Sequence, residues 1–137
     1  MKQPTFQVIS PVDGTVYTER TYANDAAIER ALDRASRAWQ AWRQVPLPER
    51  ADICRKAVGY LLEHSTEIAE ELSWQMGRPI RYAPLEINKG FRERAHFMID
   101  VAAQALAHLT VEQSAAFQRF IRREALGTVL VFAPLTT

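Results

Sequence analysis

From Asn24 to Gln44 the apolar residues return every three or four positions, at Ile28, Leu32, Ala35, Trp39 and Trp42, while Glu29, Arg30, Asp33, Arg34 and Arg37 fall mostly elsewhere. That period predicts an amphipathic helix, with Asn24 or Asp25 able to cap its first turn. Trp39 and Trp42 continue the stripe, so they are read as core anchors rather than as an aromatic binding platform. Pro46 and Pro48 break the pattern, and Pro48 suits the first turn of a second helix, where its missing N–H has no partner to lose. This helix should run to about His64 and bury Cys54, Ala57, Val58, Leu61 and Leu62. A third helix follows, capped by Ser65 or Thr66 and carrying Ile68, Ala69, Leu72 and Met76. Gly77, Arg78 and Pro79 end it, since glycine accepts the left-handed position and proline blocks resumption.

The period is shorter at the two ends of the chain. Phe6–Ile9 and Thr15–Thr18 flank the turn sequence SPVDG and predict a β-hairpin, with Gly14 free to take a positive φ. After Gly77 a fourth helix is expected from about Pro84 to Leu109, with Ile87, Phe91, Ala95, Met98, Ala102, Ala105 and Leu109 on one face. Gly90 weakens it locally and suggests a close helix contact there. Ala116 to Glu124 is expected to be a strand. Val129 to Phe132, an unbroken apolar run between Gly127 and Pro134, is expected to be a second one, buried on both faces.

Composition narrows the field. The 137 residues are enough for one modest domain; 47% are hydrophobic and 24% charged, ordinary values for a globular chain. Seventeen basic residues nearly balance sixteen acidic ones, so no general attraction to nucleic acid or to an acidic membrane is expected. No signal peptide or membrane-spanning run stands out, which makes the cytoplasm the expected location. A single cysteine, Cys54, allows no internal disulfide, and on a buried helix face it would lack the exposed, electropositive setting a nucleophile needs.

Candidate chemistry is sparse. The five glycines are too dispersed to cradle a pyrophosphate. His64, His96 and His108 have no histidine or cysteine three or four residues away, so no metal site is expected. Glu67, Glu70 and Glu71 resemble paired carboxylates but are expected to be a solvated helix start. No catalytic residue is assigned.

Three stretches nonetheless carry a resemblance. SPVDGTVY resembles the opening N-P-x-T-G-x-x-I segment of the aldehyde dehydrogenase superfamily. AWQAWRQVPLPERADICRKAVGYLLEHSTEIAEELSWQMGRPI is similar to that family's W-x-x-x-P-x-x-x-R…G-K-P stretch. RREALGTVLVFAP is similar to the R-R-E-P-L-G-V-V-x-x-I-x-P strand that opens its cofactor domain. The resemblance covers nearly the whole chain and implies an α+β or α/β fragment: an N-terminal hairpin, about four amphipathic helices, then one or two strands that would join the sheets of a larger fold. Residues 1–137 would be one incomplete N-terminal segment, with no second domain.

A full member oxidises an aldehyde to a carboxylic acid with NAD or NADP, through a cysteine nucleophile and a glutamate base that the resemblance places beyond Thr137. Cys54 does not match that cysteine, and Thr136 stands where relatives have an oxyanion-binding asparagine. By resemblance only, Phe132, Ala133, Pro134 and Leu135 match strand-end positions lining the dinucleotide site. The chain alone is expected to bind no cofactor and to be inactive. Its expected partners are the remainder of the enzyme or copies of itself, through a strand over Phe117–Arg123 that resembles the oligomerisation arm. A non-catalytic helical interaction protein, or one piece of a split enzyme, is the alternative.

Overall fold

The computed structural model describes residues 3–111 and 117–132. Strands β1 (Thr5–Ile9) and β2 (Val16–Thr21) form an antiparallel hairpin, with Thr5 opposite Thr21, Val8 opposite Thr18 and a register shift between Val8 and Ile9. Its loop is closed locally. Asp13 Oδ1 accepts from both the Thr15 N–H and the Thr15 hydroxyl, and Gly14 takes a φ of 74°. The Ser10 side chain, fully buried, accepts from the Val12 N–H.

Helix α1 spans Asp25–Trp42, and its expected cap is in place: Asn24 Oδ1 accepts the Ala27 N–H at 2.9 Å. Helix α2 (Leu47–Glu63) carries Pro48 in its first turn, as expected. Helix α3 (Ser65–Met76) ends on Gly77 in the left-handed conformation. Its cap differs from expectation. His64 occupies the N-cap position without a side-chain bond, and the Ser65 hydroxyl instead accepts from Asn88 Nδ2 at 3.3 Å.

The expected fourth helix is three pieces. Helix α4 is the short turn Ala83–Leu85, residues Glu86–Phe91 form a π-helix, and α5 runs from Arg92 to Ala105. The Arg92 N–H reaches back to the Ile87 carbonyl, five residues earlier. A π turn holds one more residue than the 3.6-residue period allows, so a stripe drawn at constant period slips off its face. Ile87 is buried, but Met98, placed on the same stripe, is 65% exposed. The helix also stops short of Leu109, which lies in strand β3 (Leu109–Thr110). This strand pairs antiparallel with β4 (Phe120–Ile121). β4 lies inside the strand expected over Ala116–Glu124, of which Ala116 is outside the described residues.

The core is small. Ala69, Ala83 and Ile87 are buried together, with Leu62, Ile68, Leu72 and Phe91 packed around them. It sits where α3, the π-helix and α2 meet. Several expectations of burial fail for the same reason, lack of a covering element, Ala57 and Leu61 on α2 among them. None of α1's residues is fully buried, so Trp39 and Trp42 anchor no closed core. Cys54 is exposed, because α1, α2 and α5 diverge around it and leave an open cleft of about 260 Å³. The terminal run Val129–Phe132 is likewise not a buried strand. It has no regular pairing, and all four side chains are exposed. A strand needs neighbours for its N–H and C=O groups, and the described residues offer this run none.

Candidate functional site

Three places bring side chains with chemical capacity together. The first joins the hairpin to α3. The Tyr17 hydroxyl donates to Glu71 Oε1 at 2.8 Å, the Tyr17 and Trp74 rings stack at 6.2 Å with an 8° interplanar angle, and Gln75 donates to the other Glu71 oxygen. The bond to Glu71, then burial, then the charges of Glu71 and Glu70 hold the Tyr17 phenol above its ordinary pKa of 10.0. The glutamates expected to be merely solvated thus include one that fastens the hairpin. Nothing in the spacing of Tyr17 and Glu71 signals that contact.

The second place is the end of α1. Gly127, at φ 97°, brings the terminal segment over Trp39, so that a Cβ built there would lie 3.9 Å from Trp39 Cε2. Ala35, Ala38, Trp42, Val45 and Thr128 complete an apolar cleft of about 520 Å³. Arg43 places its guanidinium carbon 5.0 Å over the Trp39 ring, while the buried Trp39 Nε1 has no hydrogen-bond partner.

Of the residues expected to touch a dinucleotide, Phe132 alone is described. Phe132 is 84% exposed, and Ala133, Pro134 and Leu135 lie outside the described residues. Positive-φ glycines occur at Gly14, Gly77 and Gly127, far apart in sequence and on separate turns, so they build no phosphate cradle. The described residues by themselves do not fit a dinucleotide. Among them, no cluster of three or more histidine, cysteine or acidic side chains could hold a metal. His64 is engaged with the Tyr60 carbonyl, and His108 with the Arg123 N–H. No described helix is long and apolar enough to cross a membrane.

The third place is the outer face of the π-helix. Arg78, Tyr82, Leu85, Glu86, Lys89, Glu93 and Arg94 line an open cleft of about 530 Å³ around Gly90. Arg78 Nη2 meets Glu86 Oε1 at 2.8 Å. Arg94 lies against the helix backbone, because a Cβ at Gly90 would come within 3.2 Å of its Nη2. Sequence reading marked Gly90 as a point of close contact but did not join these charges into one site. The signal was a glycine among alternating charges on an otherwise periodic helix.

Comparison with known proteins agrees with the architecture. The aldehyde dehydrogenase family model matches residues 1–135. The N-succinylglutamate 5-semialdehyde dehydrogenase of Chromobacterium violaceum is 30% identical over 128 residues, 91% of this chain and 25% of that protein. The 3-sulfolactaldehyde dehydrogenase of Pseudomonas putida is 27% identical over 131 residues, 95% of this chain and 26% of the relative. The crystal structure of PnpE in complex with nicotinamide adenine dinucleotide superposes with a TM-score of 0.76 at 26% identity, covering 85% of this chain and 24% of that one. The chain spans about a quarter of the length of these relatives. Hairpin, helices and short strands coincide with one portion of that fold, and the chain belongs to the aldehyde dehydrogenase family.

Proposed function

We propose that these residues are the N-terminal framework of an NAD- or NADP-dependent aldehyde dehydrogenase, an oxidoreductase converting an aldehyde to a carboxylic acid. The observation that carries this reading is the family match over residues 1–135, joined to an apolar face that the chain leaves open. Ile28, Leu32 and Trp42 on α1, with Val129, Leu130, Val131 and Phe132, would pack on the rest of the enzyme. Phe132, Ala133, Pro134 and Leu135 would then reach the edge of the dinucleotide site only when that body is present. β3 and β4 would contribute to contacts between copies, and the cytoplasm, with Cys54 reduced, is the proposed setting. The substrate proposed is an aldehyde carrying a second, anionic group. Support comes from two relatives named for such compounds, a semialdehyde of N-succinylglutamate and 3-sulfolactaldehyde.

Nucleotide absorbance tests the reading. The 137-residue chain alone, given succinate semialdehyde and NAD or NADP, is expected to reduce neither; mixed with a separately produced C-terminal portion of a family relative, it is expected to restore reduction. Turnover by the chain alone, or no gain on mixing, would overturn it. A second reading, a non-catalytic interaction protein, rests on the same open run Val129–Phe132, which could add to a partner's sheet. A stable stoichiometric partner that is not a dehydrogenase portion would favour it.

A further inference from the structure

We propose that a basic face of α1 docks onto the α3 face of a second copy of this chain, in a head-to-tail contact. The α1 face is Arg30, Arg34 and Arg37, which line a shallow cleft with Ala27 and Asp33. All three arginines are exposed, and among the described residues none of them has an ion-pair partner. A helix turns by about 100° per residue, which sets these arginines on the side of α1 opposite Ile28, Leu32 and Trp39. The basic face therefore stays open when the apolar stripe packs elsewhere. A guanidinium presents a planar fork that matches the two oxygens of a carboxylate.

Charge, spacing and size name the occupant. On α3, Glu67, Glu70 and Trp74 are exposed at intervals of three and four residues and line one cleft. Glu71 beside them is taken by Tyr17 and Gln75, whereas Glu67 and Glu70 have no cation partner among the described residues. Arg34, Arg37 and Ala41 repeat the same intervals on α1. With the two helices parallel and in register, Arg34 meets Glu67, Arg37 meets Glu70, and Ala41 leaves room for the Trp74 indole. Trp74 is already stacked on Tyr17, so docking costs it little rotamer freedom. The two faces are different surfaces of one chain, so each copy offers both, and the contact extends as an open chain or closes as a ring. It is separate from β3 and β4 and from the run Val129–Phe132. Two helix faces bury less than the roughly 1,200 Å² of a stable interface, so binding should be weak and should fall as salt rises.

The test is sedimentation velocity on the 137-residue chain carrying Val131→Asp, which lessens association through the exposed apolar run. Arg34→Glu with Arg37→Glu in one chain, and Glu67→Arg with Glu70→Arg in another, should each weaken association about tenfold, the sum of two exposed ion pairs. An equimolar mixture of the two should regain it, because each then presents faces opposite in charge to those of the other. Reversal at the start of α3 also opposes its helix dipole, so Glu67→Gln with Glu70→Gln is the milder variant, expected to weaken association with the thermal midpoint unchanged. Ala41→Gln, which crowds Trp74 without altering any charge, should weaken it too. Added sodium chloride should weaken this contact, whereas association through apolar side chains should hold. Monomers at every concentration, association untouched by either reversal, or a mixture no more associated than its parts overturns the proposal. So does a response to the arginine reversal alone, which would mean that the basic face takes a different occupant. None of these measurements needs turnover, so the outcome is independent of aldehyde oxidation.

Discussion

Tyr17 is where one hydroxyl links two elements. Ionising its phenol would remove the donor to Glu71 and set a second negative charge 2.8 Å away, so the proton is held above the ordinary value of 10.0. The sign of the stability effect follows from linkage. With the folded pKa raised above the unfolded one, the contribution is fully present below pH 10 and is lost as pH rises through the folded value. Tyr17→Phe should therefore destabilise the chain at neutral pH, with the difference in urea midpoint shrinking in strong alkali. Ultraviolet titration should also lose one phenolate transition above pH 10. If the alkaline end of the curve survives in Tyr17→Phe, the bond to Glu71 is not what holds that proton.

Between elements, the join of α3 to the hairpin depends on a position without a side chain. Gly77 has φ 69°, and a Cβ there would lie 3.0 Å from Pro11 Cγ. Gly14 offers the matched control, with φ 74° and nothing within 4 Å. Gly77→Ala is expected to cost roughly 1–2 kcal/mol in urea unfolding, combining left-handed strain with displacement of Pro11, and Gly14→Ala only about 1 kcal/mol. Equal costs would show that the Pro11 contact contributes nothing. The stop at Gly77 was legible in sequence because capping and left-handed turns are local, and the hairpin, α1, α2 and α3 followed from period for the same reason. The π turn was not, since a count of apolar positions at constant spacing is blind to one added residue. Nor was the exposure of Cys54, which depends on how α1, α2 and α5 diverge. The cleft on the π-helix was legible only in part. Gly90 stood out, but Arg78 reaches Glu86 through the turn at 79–85, a tertiary event that charge spacing does not report.

Taken whole, the molecule exposes 11483 Å², against about 7,300 Å² for a folded monomer of its mass. Apolar groups contribute to it, among them Leu126, 94% exposed, and the run Val129–Phe132. Such a surface should drive self-association in the isolated chain. Sedimentation velocity is expected to show concentration-dependent growth, and Val131→Asp to weaken it about tenfold, since burying a valine contributes about 1.5 kcal/mol. Concentration-independent monomers in the parent chain would contradict this and would mean that the run folds back on the chain in solution.

The π turn has a further consequence for how this chain can change. Every side chain of α5 is aimed by a residue count made upstream, between Glu86 and Phe91. Each α-helical position turns the axis by about 100°. A one-codon deletion in that segment would therefore act like a frameshift in space, swinging Asp100 away from Arg55. Substitutions can tune this face one contact at a time, but a change of length resets all of it at once.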